Sequence, residues 1–100
     1  MSVERMKALV IGAGEVGTIV ARTLSADGHK VTVIESDPAR CEQAREELDA
    51  MVVEGNGASP RVLRENDAGE IDLLAAVTAI DEVNIAAAAA AHQLKVKTTV

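Results

Sequence analysis

The chain has 100 residues, 48% hydrophobic and 26% charged, the balance of a single soluble globular domain. Ten basic residues against sixteen acidic ones leave a net charge of −6, which excludes a nucleic-acid backbone or an anionic membrane surface as the main partner, because both are held by lysine and arginine. Phe, Tyr and Trp are absent, so there is no aromatic platform for base stacking, and the core must be built from Ala, Val, Leu and Ile.

Lys7-Ala-Leu-Val-Ile11 is a short apolar run of the kind that forms a strand covered on both faces. It is too short for the apolar part of a signal peptide or for a bilayer span, so the chain reads as soluble and cytoplasmic. Gly12-Ala-Gly14-Glu-Val-Gly17 ends the run, and Val16, Ile19, Val20 and Leu24 then recur at helical spacing. Asp27-Gly28 closes that helix, with Gly28 as the left-handed cap. Lys30-Val-Thr-Val-Ile34, rich in β-branched residues, is the second strand.

Asp37-Pro38 is a cap followed by a first-turn proline, and it opens a helix with Cys41, Ala44 and Leu48 on one face. Met51-Val-Val53 is a short third strand running into Gly55-Asn-Gly57. Ser59-Pro60 repeats the cap signal ahead of a short helix through Val62 and Leu63. Leu73 to Val77 is the fourth strand, Asp81 caps a long helix containing the alanines Ala86 to Ala91, and Lys97 to Val100 begins a fifth strand. The alternation predicts an α/β fold, a Rossmann-like doubly wound parallel sheet of five strands with right-handed crossovers. The whole of residues 1–100 reads as one nucleotide-binding domain. The stop in or just after the fifth strand is what a fragment of a longer protein would show.

The glycine pattern follows a predicted strand and opens a predicted helix, which is the context a dinucleotide fingerprint needs. Gly12 serves the tight turn, Gly14 the approach of a pyrophosphate, and Gly17 close packing of helix on strand. Free N–H groups at the helix start then meet the phosphates. Glu35 ends the second strand, 18 residues past Gly17, where a carboxylate accepts from an adenosine ribose and repels a 2′-phosphate. NAD or NADH is therefore expected ahead of NADP. Arg40 has a phosphate within reach but reads more simply as a solvated face residue.

Asn56 and Gly57 close the third strand on the edge where an adenine would lie, or form an ordinary turn. Thr78 and Ala79 follow the fourth strand on the same edge, with the Thr78 hydroxyl placed for a ribose or phosphate oxygen. No nucleophile–histidine–acid set occurs. His29 and His92 fall away from that edge and lack companions at metal-ligand spacing. Cys41 reads as a small core residue, and as the only cysteine it excludes an internal disulfide. No catalytic or metal-binding residue is assigned. The alanine-rich helix either packs closely on its own sheet or forms a subunit interface.

Taken together, Ala8-Leu-Val-Ile-Gly-Ala-Gly-Glu-Val-Gly17, Val33-Ile-Glu-Ser-Asp37, Val53-Glu-Gly-Asn-Gly57, Val62-Leu-Arg64, Asp72-Leu-Leu-Ala-Ala-Val-Thr78 and Asp81-Glu-x-Asn84 resemble the N-terminal domain of Trk-type potassium-uptake regulatory proteins. That family is called TrkA-N or regulator of potassium conductance (RCK), and the resemblance covers nearly the whole chain. It implies a non-enzymatic cytoplasmic domain that binds NAD(H), in some members ATP or ADP. Such a domain assembles as a dimer or larger ring on the inner face of the membrane, where it gates a potassium transporter or channel.

By position, Gly12, Ala13, Gly14, Glu15 and Val16 would hold the pyrophosphate, Glu35 the ribose, and Thr78 with Ala79 the far side of the nucleotide. The family's phosphate-binding arginine after the fifth strand and its second, ligand-sensing domain lie outside this sequence. Two other readings stand beside this one, the cofactor half of an NAD-dependent dehydrogenase and the sensor domain of a cation–proton antiporter.

Overall fold

Ala8, Leu9 and Val10 have no exposed surface and Ile11 has almost none, so β1 (Lys7–Ile11) is the centre of the molecule. The computed structural model describes residues 5–66, 70–93 and 96–100, with the backbone alone at residues 81 and 90–93. Around β1 the elements follow in the order α1 (Glu15–Ala26), β2 (Lys30–Glu35), α2 (Pro38–Glu47), β3 (Met51–Glu54), α3 (Pro60–Glu65), β4 (Leu73–Ala76), α4 (Asp81–Gln93) and β5 (Thr98–Thr99). The five strands form one sheet in the order β3-β2-β1-β4-β5, every pair parallel. This is the doubly wound arrangement expected from the alternation, and the strand order reverses direction at β1. No described helix is long and apolar enough to cross a membrane.

Alternation along β1 sends its side chains into two different layers. Ala8 and Val10 join Ala21, Val33, Cys41, Ala44 and Val52 under α1 and α2, while Leu9 and Ile11 join Ile34, Leu63, Leu74 and Ala87 under α3 and α4. The first layer is built from small side chains, the second from large ones. Helices therefore stand closer to the sheet on the α1 side, and the glycines below show how close.

The helix ends follow the sequence signals. At the end of α1 the His29 N–H donates to Leu24 and the Gly28 N–H to Ser25, a Schellman arrangement with Gly28 at φ +88°. Asp37 caps α2 through the Ala39 N–H at 2.9 Å, and Ser59 caps α3 through the Val62 N–H at 3.4 Å. In α4 the carbonyl of Ile80 accepts from the Asn84 N–H, which makes Ile80 the cap and Asp81 the first helical residue. Asp81 is thus one position too far in for the capping role expected of it, and its side chain lies outside the described residues, as do those of Ala90, Ala91 and His92.

The apolar residues that recur along α1 do not all face the sheet. Its buried residues are Gly17 and Ala21, flanked by Val20 and Leu24, whereas Val16 and Ile19 are more than half exposed. The smallest side chains face the sheet because the helix lies too near it for larger ones. In α4, Ala87 is fully buried against the sheet while Ile85 and Ala86 are exposed.

At the strand N-terminal edge, Asp72 joins three strands. Its Oδ2 accepts from the Lys7 N–H at 2.9 Å and its Oδ1 pairs with the Lys97 ammonium at 3.0 Å. The Lys7 backbone donor, then the Lys97 contact, holds its carboxyl below the ordinary value of 3.8. A depressed folded pKa means the ionised form stabilises the fold. That contribution is present above the unfolded value and is lost as pH falls through the folded one. Thermal melts across pH should therefore show wild type exceeding Asp72→Asn by a constant margin at neutral pH, a margin that shrinks once the pH falls below about 4.

Candidate functional site

The turn after β1 is shaped by what surrounds it. Gly12 sits at φ +108°, a conformation that side chains resist, and its N–H donates to the Ile34 carbonyl at 2.8 Å. A Cβ on Gly17 would lie 1.9 Å from the Gly12 carbonyl oxygen, so α1 is seated directly on the turn. Gly14 is different. As the N-cap of α1 it has ordinary extended angles, and a Cβ there would meet nothing nearer than the Arg40 Nη1 at 3.9 Å. Space is thus left open over the start of a 12-residue helix that no side chain caps. The N–H groups of Gly14, Glu15, Val16 and Gly17 are the four that an α-helix cannot satisfy internally.

Glu35 is the buried charged residue of this region, 7% exposed at the end of β2. Its Oε1 accepts from the Ala13 N–H at 2.7 Å and its Oε2 from the Asp37 N–H at 2.9 Å, with the Ser36 hydroxyl more distant at 3.5 Å. The same residue's carbonyl accepts from the Gly55 N–H and from the Cys41 thiol. Burial pushes that thiol's pKa up, which keeps it the donor its position requires. Glu35 therefore ties the glycine turn, the start of α2 and the end of β3 to one point. A carboxylate offers about four acceptor directions, and one on Oε1 remains open. The sequence suggested an acceptor for a ribose; it gave no sign of this tethering role.

On the opposite wall, Thr78 and Asn84 form a closed local set. The Thr78 N–H donates to Asn84 Oδ1 at 2.9 Å, the Asn84 amide donates to the Thr78 carbonyl at 2.9 Å, and the Ile80 N–H donates to the Thr78 hydroxyl at 3.2 Å. The single hydroxyl proton points to Asn84 Oδ1 at 2.6 Å or to the Ile80 carbonyl at 3.0 Å. The hydroxyl expected to face a nucleotide oxygen is thus engaged within its own loop, and it fixes the path of the backbone next to Gly12. Asn56 likewise turns its side chain onto the Ala58 N–H at 2.9 Å, and Gly57 is buried, a Cβ there falling 2.2 Å from Ile11 Cγ2.

Between these walls lies a cavity of about 540 Å³ at the carboxyl ends of the strands. Gly12, Glu35, Asn56, Gly57, Thr78 and Ala79 all line it, so the structure brings these sequence candidates together. Ala13, Gly14 and Glu15 face a neighbouring hollow of about 410 Å³ between α1 and α2. Val16 is exposed at the start of α1, and Gly17 is buried beneath it. The apolar walls Ile34, Ile80 and Val83 went unread in the sequence, because their pattern is also that of strand and helix core. Arg40, set down as a solvated face residue, lines both hollows. Among the described residues, the acids and bases lining the larger cavity are Glu35 and Arg40, one held by backbone donors and the other a guanidinium that keeps its protons.

Two stability measurements check this construction. Gly17→Ala must push α1 off the turn and should lower unfolding free energy by about 3 kcal/mol or more in urea titrations. Glu35→Ala leaves the buried Ala13 N–H and the part-buried Asp37 N–H without their partner and should cost about 1–3 kcal/mol with no ligand present.

The comparisons with known proteins agree with this architecture. Residues 8–100 match the family described as the TrkA-N domain. The Trk system potassium uptake protein TrkA homolog 2 of Methanosarcina mazei is 52% identical over 82 residues, covering 82% of this chain and 18% of that protein. The chain spans less than half the length of the relatives it matches, 40% in the case of one from Pyrococcus abyssi. Among solved structures, the NAD(P)-binding domain of an exopolyphosphatase-related protein from Archaeoglobus fulgidus superposes with a TM-score of 0.81 at 22% identity, over 94% of this chain and 71% of that one. A Kef CTD from Shewanella denitrificans in AMP-bound form gives 0.77 at 21% identity, over 93% and 55%. These likenesses concern the fold. The match over nearly all of the sequence establishes the rest: the chain belongs to the TrkA-N domain family.

Proposed function

We propose that this chain is the nucleotide-binding regulatory domain of a potassium-uptake system, binding NAD(H) and, as a second class, the adenine nucleotides ATP and ADP. On this reading it is not an enzyme. It works in the cytoplasm as part of a homo-oligomer held to the inner face of the membrane by a potassium transporter or channel subunit, and nucleotide occupancy biases the gate of that partner. The observation that carries the reading is the open space over Gly14, at an uncapped helix start lining the smaller hollow, which shares Arg40 with the larger cavity lined by Glu35. Relatives named as Trk system potassium uptake proteins support the assignment to potassium uptake, and the AMP-bound Kef structure supports the adenine-nucleotide class.

Because the Gly12 and Ala13 N–H groups are already bonded within the protein, the phosphates fall to the N–H groups of Gly14, Glu15, Val16 and Gly17. The remaining acceptor direction on Glu35 suits a ribose hydroxyl and opposes a 2′-phosphate. Ile34, Ile80 and Val83 supply apolar walls for an adenine. A dehydrogenase needs a group in the cavity that exchanges a proton, and a tethered carboxylate with a guanidinium does not favour that chemistry. Gating then requires the nucleotide to bind two conformations of the assembly unequally. Coupling of about 1–3 kcal/mol would shift the open-to-closed ratio roughly 5- to 150-fold.

Calorimetric titration with NADH, NAD, NADPH, ADP and ATP, on wild type and Gly14→Ala, tests the reading. Wild type should prefer NADH to NADPH. The added methyl should weaken binding about tenfold or more by filling the phosphate space, while unfolding free energy changes by less than about 1 kcal/mol. Absence of binding to every nucleotide would leave the glycines as a turn and nothing more.

A further inference from the structure

The sequence is acidic overall, and the surfaces offered to a nucleotide are acidic too unless one side chain is counted. Glu35 and Arg40 line the larger cavity; Glu15, Glu47, Arg22 and Arg40 line the smaller hollow beside it. Without Arg40 each would present a net negative wall to a phosphate. Arg22 is drawn toward Glu47 at 3.9 Å and does not line the larger cavity. Among the described residues, Arg40 is the cation common to both.

Its geometry suits the task. Nη1 stands 3.9 Å from the position a Gly14 Cβ would occupy, so the guanidinium faces the open space over the α1 N-terminus from the α2 side. Its nearest acid, Asp37, approaches only Nε, at 3.9 Å, and that carboxylate's other oxygen is already committed to capping α2. The forked end of the side chain is thus turned toward the glycine loop. About half of the side chain is exposed, so it is not a structural part of the core.

Resting on the nucleotide-binding reading above, we infer that Arg40 is the phosphate-contact residue of this site, closing on the adenosine-linked phosphate from the side opposite the α1 amides. A phosphate between the two would meet backbone N–H groups below and a planar cationic fork above, the pairing that gives short charge-assisted hydrogen bonds. The ligand class that follows is an adenosine phosphate, selected over adenosine itself.

The test is titration of AMP and adenosine into wild type, Arg40→Gln and Arg40→Lys at low and high salt. In wild type, AMP binds more tightly than adenosine, and added salt narrows the difference. Arg40→Gln should lower the AMP-to-adenosine affinity ratio about tenfold or more and flatten its salt dependence, with Arg40→Lys in between. An unchanged ratio, whether both ligands weaken together or neither does, would overturn the role of Arg40 and leave the nucleotide site standing. Failure of wild type to bind AMP while it still binds NADH would overturn the role of Arg40 alone; failure to bind NADH and the adenine nucleotides as well would overturn both readings.

Discussion

A single buried carboxylate holds this site in shape. Charge is expensive to bury unless it is hydrogen-bonded, and each Glu35 carboxylate oxygen has a backbone donor, the N–H of Ala13 on Oε1 and that of Asp37 on Oε2. Its main chain takes the ends of β3 and the Cys41 thiol. Because the donors come from three separate segments, the glycine turn, the start of α2 and the third strand cannot shift independently. The pocket floor is therefore preorganised, and a ligand need not spend binding energy in assembling it.

Beside that tether stands a packing constraint. With α1 seated where the Gly17 Cβ would touch the Gly12 carbonyl, the helix N-terminus is delivered to the crest of the sheet at the point where strand order reverses. Ala8, Ala21 and Ala44 fill the thin layer beneath, and the bulk of the core moves to the other face with Leu9, Ile11, Ile34, Leu63 and Leu74. A core without aromatic residues thus uses its smallest side chains to bring the α1 N-terminus close to the sheet and its largest to stabilise the other face.

The wall formed by Thr78, Ile80 and Asn84 links the cavity to the start of α4, whose Ile80 and Ile85 are exposed apolar residues. The loop between them is held by the hydrogen bonds of Thr78, Ile80 and Asn84.

Much of this was legible in the sequence. The strand–helix alternation, the caps at Gly28, Asp37 and Ser59, the parallel sheet and the convergence of Gly12, Glu35, Asn56 and Thr78 on one edge follow from periodicity and turn chemistry, which are local properties. The tertiary structure decided what distance decides. Val16 and Ile19 share the helical spacing of Val20 and Leu24 yet are exposed, because the helix lies too close to the sheet for anything larger than Gly17 and Ala21. The Thr78 hydroxyl, placed by the sequence for a nucleotide oxygen, is engaged within its own loop by Asn84, six residues away, or the Ile80 carbonyl, partners that no spacing rule gives. Arg40, read as a solvated face residue with a phosphate within reach, is exposed and also stands beside Gly14, a placement that depends on how α2 packs beside α1. The sequence determined which backbone segments meet at the site. Only the packing of helices on the sheet decided which side chains remained free to meet a ligand, because that choice turns on contacts between residues far apart in the chain.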